Sequence, residues 1–387
     1  MTSQAGGGLR GVVIGESRIS DVQPEGKLYY QGYSINELAD HSTFEEVVFL
    51  LWNGKLPSHT ELAAFETQLR SEYAIPEGLI GILRGIPKNA NSMHALSVGV
   101  SALATFDPEA GNNAPEANLR KATRLQAKIP TVVAAIERLS QGMEPVAPRT
   151  DLGIAANFLF MLTGTEPDPL YVKTMDIDFI LHADHELNAS TFATRVTVAT
   201  GADLYCGCVS GIGALSGPRH GGAAEETMEM LLEIGSIENV DGYVRPRLTG
   251  EKRQPIPGFG HPVYRAPDPR SARLREMSRQ LGELKGETKW YDMTVAIEGI
   301  VDELSNTPER LAAGKQGIYP NVDCFSASCY TLMDLPVRLF TPMFAVSRTS
   351  GWCAHMFEQM KPGEKIIRPR AEYIGEHDLP YIPVEKR

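Results

Sequence analysis

The chain has 387 residues, 42% of them apolar and 22% charged, with a formal net charge of −11. That length and balance describe a globular protein of about two domains, not a disordered, collagen-like or coiled chain. An acidic chain does not draw in nucleic acid or an anionic membrane at long range, so a polyanionic ligand would need a local concentration of positive charge.

The cysteines are Cys206, Cys208, Cys324, Cys329 and Cys353, an odd number with no C-x-x-C pair. They read as free thiols in a reducing compartment. Met1–Gly8 carries neither a basic nor an apolar signal region, and the apolar runs Ala95–Phe106 and Ile154–Leu162 are too short to span a bilayer. The expectation is a cytoplasmic protein.

In chain order, Gly11–Gly15 and Lys27–Gly32 place β-branched and aromatic residues between glycines and read as short strands. Helices dominate thereafter. Ser42 to Glu45 and Ser58 to Glu61 fit capping boxes, each ahead of an apolar-periodic run. Three- and four-residue spacing then predicts helices near 93–106, 117–141, 152–162, 169–183, 188–200 and 203–215. No alternating pattern interrupts them, so no parallel sheet is expected. From Ser216 to Arg270 the chain is rich in Gly and Pro, with a helix at 225–234. Helices return at 271–284 and 290–304, and a second break holds Gly314, Gly317 and Pro320. The chain is again helical to about Met360 and ends in an extended tail. The reading is a mainly α protein, with a large helical domain formed by 1–218 and 323–387 and a smaller domain, 219–322, inserted into it. Hinge and cleft belong at the two breaks.

Four polar loci stand out. His182 to Glu186 is either a polar helix end or a pair of histidines on one face facing a metal, but nothing completes a ligand set. His220, between Pro218-Arg219 and Gly221-Gly222 before a helix, is either a loop histidine or a neutral ring held so by the helix N-terminus and able to donate one hydrogen bond. His261 lies in Pro257-Gly258-Phe259-Gly260-His261, where the glycines allow close ligand approach. Residues 245–275 hold eight basic and two acidic side chains, either a solvated face or the anion site that the acidic chain requires. Asp323 is either a helix N-cap or a partly desolvated base. The chain offers no phosphate loop, dinucleotide fingerprint or nucleophile elbow. The combination suits a reaction run by hydrogen bonds and proton transfer.

At these residues the chain resembles the citrate synthase family. The matching segments are Leu181–Ser190, Gly217–Gly222, Gly258–His261, Asp268–Arg270, Pro320–Asp323 and Arg368–Arg370, in family order across most of the chain, with Gly32–Ala39 resembling the family's usual start. The resemblance implies a helical, two-domain homodimer that condenses acetyl-CoA with oxaloacetate and hydrolyses the product to citrate and CoA, with no cofactor and no metal. It implies Asp323 as the base at the thioester methyl, His220 as donor to the thioester oxygen and His261 at the oxaloacetate ketone. His185, Arg270 and Arg348 resemble ligands of the oxaloacetate carboxylates, and Arg368 an arginine lent across the dimer. Pro257, Gly258, Phe259, Gly260 and Arg265 resemble CoA-binding elements, with Lys315 a looser match. Arg219, Ala224 and Pro262 depart from the family's pattern around the site, which puts acyl specificity in doubt. Arg348–Trp352 resembles the 2-methylcitrate synthase branch, which uses propionyl-CoA, whereas Arg370 leans the other way. A non-catalytic CoA- or dicarboxylate-binding protein would keep the arginines but have no use for Asp323, His220 and His261 together.

Overall fold

The structure, a computed structural model, describes Leu9, residues 12–314 and residues 316–387. Among these residues the only sheet is a small antiparallel one of β1 (Ser20–Gln23), β2 (Lys27–Tyr30) and β3 (Tyr33–Ser34), with Ser20 opposite Tyr30 and Tyr30 opposite Tyr33. The strand expected at Gly11–Gly15 is not there: residues 12–17 are irregular, and Gly11 lies outside the described residues. Val13 is 88% exposed, and β-branching without a partner strand does not make a sheet.

Helices follow in order: α1 (Ile35–His41), α2 (Phe44–Asn53), α3 (His59–Ser71), α4 (Glu77–Arg84), α5 (Ser92–Thr105) and α6 (Pro115–Ser140). Next come α7 (Ile154–Thr163), α8 (Pro169–His182), α9 (Ala189–Val198) and α10 (Leu204–Leu215). The Gly- and Pro-rich region contributes α11 (Ala223–Ile234) and α12 (Val240–Thr249), then α13 (Ser271–Lys285), α14 (Lys289–Ser305) and α15 (Pro308–Ala312). Last are α16 (Asp323–Leu332) and α17 (Phe340–Gln359). The mainly α class expected from the sequence is what the chain adopts. Sequence periodicity did not disclose α4, or α12 with its internal Pro246.

Ser58 and Glu61 form the expected capping box at α3. The one expected at Ser42 is displaced by a residue. Thr43 caps α2 and accepts from the Glu46 N–H, while Ser42 closes α1. Glu45 instead turns into the core and accepts the N–H of Ile154 at the start of α7, at 2.6 Å. A long-range demand for a buried N–H partner outweighs the local cap.

The scaffold centres on α17, which packs on α2, α6, α8, α9 and α10 and is buried along nearly its whole length. Among the fully buried side chains on α17 are Arg348, Trp352 and His355. A helix apolar all round would only be core. Here polar groups face inward where the loops after α8 and α10 arrive. A second group is formed by α11, α13, α14 and α16, which pack on one another. The first residue of α16 is Asp323.

Candidate active site

The loop 257–270 reaches the centre because its backbone is tied to 319–321. Gly260 N–H donates to the Tyr319 carbonyl at 2.8 Å, and Asn321 N–H to the Gly258 carbonyl at 2.9 Å. Asn321 Nδ2 donates to the Gly260 carbonyl at 3.1 Å, and Phe259 pairs with Pro320 as an isolated antiparallel bridge. Gly258 and Gly260 hold left-handed φ values of 80° and 88°, and a Cβ on Gly258 would stand 3.0 Å from Cα of Cys324. His261 and Asp323 therefore ride on one locked unit.

Asp323 is not the N-cap of α16. Val322 holds that position without a side-chain bond, and Asp323 is the first helical residue. Its own N–H is taken by Asn321 Oδ1 at 3.0 Å, and its carboxylate makes no hydrogen bond among the described residues. Burial raises its pKa above the ordinary carboxylate value, opposed by the charges of His182 and Arg270.

His261 Nδ1 accepts the N–H groups of Val263 and Tyr264 at 3.0 and 3.1 Å. The network thus assigns the ring proton to Nε2. Burial, then the charge of Arg270, lowers its pKa to about 4, so the ring is neutral at pH 7.

His220 has the opposite tautomer. Its Nε2 accepts the N–H of Ser190 at 3.2 Å and lies 2.8 Å from the Ser190 hydroxyl, which leaves Nδ1–H as its donor. Its pKa is lowered to about 4, first by burial and then by Arg348. The neutral ring expected from a helix N-terminus is present for another reason. His220 lies outside α11, whose N-cap is Gly222, and desolvation keeps the ring uncharged. Ser190 is itself fixed: Trp352 Nε1 donates to its hydroxyl at 3.1 Å, and that hydroxyl, with one proton to give, lies 2.8 Å from both Asn188 Oδ1 and His220 Nε2. Sequence reasoning gave Ser190 and Trp352 no role; their contact spans 162 positions and leaves no local signal.

Arg348 and Arg270 are buried. Arg348 donates from Nε to the His182 carbonyl at 2.8 Å, stacks over Phe344 at 4.6 Å and leaves buried Nη1 without a partner among the described residues. Burial pushes its pKa down to about 10. Phe344 also meets His182 and His220 edge-on, at 4.9 and 6.1 Å. Arg270 holds Asp268 through Nε and Nη2 at 2.9 and 2.7 Å. His185, past the end of α8, has its ring 5.1 Å from that of His261, and burial holds it well below the usual histidine pKa. Directly before it, Asp184 is fully buried and contacts Nε2 of buried His355 at 3.2 Å. Burial works against the Asp184 carboxylate, yet His355, Arg348 and the Ser20 hydroxyl hold its pKa below the ordinary value.

The remaining expectations divide. Arg265 turns its guanidinium onto the carbonyls of His261, Pro262 and Tyr264 in its own loop. Arg368 is exposed in the extended tail and takes part in none of these contacts. Lys315 lies outside the described residues. Among the described residues no group of three or more His, Cys, Asp or Glu could hold a metal, and no helix is long and apolar enough to cross a membrane. All five cysteines are free, with only Cys206 exposed. Two surface cavities of about 220 and 350 Å³ border Arg338 and Glu137 and share no residue with this cluster.

Comparison with known proteins shows the family. The family model described as "Citrate synthase, C-terminal domain" matches residues 8–370. The chain is 47% identical to "Citrate synthase 2" of Bacillus subtilis, over 98% of each chain. A citrate synthase crystal structure from Pyrobaculum aerophilum superposes with a TM-score of 0.92 at 39% identity, covering 100% of this chain and 97% of the other. A ternary complex of carboxymethyl coenzyme A and oxaloacetate with citrate synthase from Thermoplasma acidophilum gives 0.90 at 29% identity, covering 98% of both. 2-Methylcitrate synthases, including one from Shewanella oneidensis, also align along the chain. Fold and relatives together define an all-α enzyme of the acyltransferase class. The chain belongs to the citrate synthase family.

Proposed function

We propose that the protein condenses acetyl-CoA with oxaloacetate and hydrolyses the resulting thioester to citrate and CoA. The observation that carries this reading is a half-buried carboxylate, Asp323, on the same braced unit as His261, with His261 and His220 both neutral and of opposite tautomer. A thioester methyl is a very weak acid, and a carboxylate removes its proton only if the forming enolate oxygen meets a donor. In this reading Asp323 takes the proton and His220 Nδ1–H meets that oxygen. His261 Nε2–H polarises the ketone carbon that the enol attacks. Arg348, with its unpartnered Nη1, Arg270 and His185 bind the keto-acid carboxylates and fix its orientation.

The loop Pro257–Gly260, with Arg265 and Lys315, is assigned to CoA. Arg265 would have to turn from its own carbonyls to meet a phosphate. The protein works without a metal or other cofactor, as a cytoplasmic homodimer in which exposed Arg368 enters the partner's site. The inserted domain is 219–322. Its closure over the first substrate would exclude water until the carbon–carbon bond forms.

Release of free thiol from acetyl-CoA that depends on oxaloacetate tests the reading. Thiol release that ignores oxaloacetate, or its absence, would refute it. The second reading is 2-methylcitrate synthesis from propionyl-CoA, which the 2-methylcitrate synthase relatives favour. One methylene changes discrimination by about 1–3 kcal/mol. Comparing kcat/KM for the two thioesters decides between them, and we expect acetyl-CoA to be preferred.

A further inference from the structure

The strongest unassigned group at the centre is Tyr264. It is 2% exposed, and its hydroxyl lies 3.1 Å from His185 Nε2, a contact between the inserted region and the loop after α8. Its ring lies 4.4 Å from that of His261 at a shallow angle of 33°, and 5.5 Å from that of His185, nearly perpendicular. The backbone around it is seated on the N-terminal sheet: Arg265 N–H donates to the Pro24 carbonyl at 2.8 Å. Tyr264 is therefore held from behind and touches both histidines assigned to the keto-acid.

The hydroxyl makes one hydrogen bond among the described residues, the one to His185 Nε2. A buried O–H finds an acceptor, so the phenol is the donor and Nε2 the acceptor. Burial keeps the phenol protonated by raising its pKa. The ring proton of His185 then sits on Nδ1. A histidine free to rotate or exchange tautomers offers a carboxylate a donor only part of the time. One locked by a partner offers the same face at every encounter.

We propose that Tyr264 is a positioning residue for the keto-acid, acting through His185: its hydroxyl fixes the orientation and tautomer of that ring from across the cleft, while its ring backs His261. The proposal rests on the oxaloacetate reading given above. It divides the side chain into two functions, a hydroxyl for binding and a ring for chemistry.

Steady-state kinetics of Tyr264→Phe and Tyr264→Leu, with oxaloacetate and acetyl-CoA varied in turn, test it. Tyr264→Phe keeps the ring and should raise the oxaloacetate KM about three- to tenfold, as the loss of one neutral hydrogen bond does. Its kcat and acetyl-CoA KM should stay within about twofold of wild type. Tyr264→Leu should add a fall in kcat. In a His185→Gln background, Tyr264→Phe should add no further rise in the oxaloacetate KM. An unchanged oxaloacetate KM in Tyr264→Phe overturns the proposal, as does a full additional rise in the double variant. A matched loss in kcat and both KM values marks a structural role and also overturns it. Calorimetric oxaloacetate binding to each variant measures the same change in affinity where turnover is too slow to follow. A wild type without oxaloacetate-dependent thiol release would refute the underlying reading instead, a result distinct from an active wild type with an unaltered Tyr264→Phe.

Discussion

The hydroxyl of Ser190 stands 2.8 Å from Nε2 of His220, and the Ser190 backbone N–H points at the same nitrogen. This pairing turns the proton-bearing Nδ1 of His220 outward. Ser190→Ala retains the backbone bond but removes the hydroxyl that Trp352 and Asn188 hold in place. One hydrogen bond contributes about 1 kcal/mol, so kcat should fall about fivefold. Both KM values should stay near wild type, because the proposed contact strengthens only as the enolate forms. Initial-rate kinetics check this; a change confined to KM would contradict it.

Asp323→Asn preserves size and the α16 start while removing the proposed base. General-base assistance is typically worth about 10²–10⁴ in rate. Turnover should therefore drop by at least about a hundredfold, with oxaloacetate affinity by calorimetry within about threefold of wild type. Retained turnover would exclude Asp323 as the base.

The two neutral histidines set an acid limit. His220 and His261 titrate at about 4 in the folded chain instead of 6.5. Unfolded chains bind these protons at the higher pH. The linked stability is therefore fully present above about 6.5 and is lost as pH falls towards about 4. Denaturant midpoints should decline across that window, with a shallower decline in His220→Gln. Activity should hold through pH 6, where an ordinary histidine is mostly charged, and fall nearer pH 4. An activity midpoint near 6.5 would refute neutrality by burial.

Asp184 and His355 are both fully buried and in contact at 3.2 Å. Removing one partner of such a pair costs up to about 3–5 kcal/mol, with Arg348 and the Ser20 hydroxyl left to compensate part of the Asp184 charge. His355→Ala should lower the unfolding free energy by that amount in chemical denaturation. A variant within about 0.5 kcal/mol of wild type would show that the contact contributes nothing to stability.

Helix patterning and the chemistry-bearing residue types were legible because both are local. Apolar spacing located most helices, and glycines flanking His220 and His261 marked the loops. What sequence could not disclose was partnership. Asp323 looked like a cap because a carboxylate opening a helix usually is one, yet Val322 holds the cap position and Asp323 is the first helical residue, its own N–H given to Asn321. Glu45 looked like a capping-box member but answers Ile154, 109 positions away. The histidines' neutrality arises from burial, which depends on the whole fold. Ser190 and Trp352 bear no mark of their shared task until α9 and α17 are packed.

The backbone tie between Gly258–Gly260 and Tyr319–Asn321 bears on how the enzyme can diversify. The spacing of His261 and Asp323 is fixed by main-chain amides, which every sequence possesses. The side chains riding on that brace, such as exposed Pro262, are left open to substitution. On the proposed reading, a library randomised there would retune which acyl group is accepted while His261 and Asp323 stay in register.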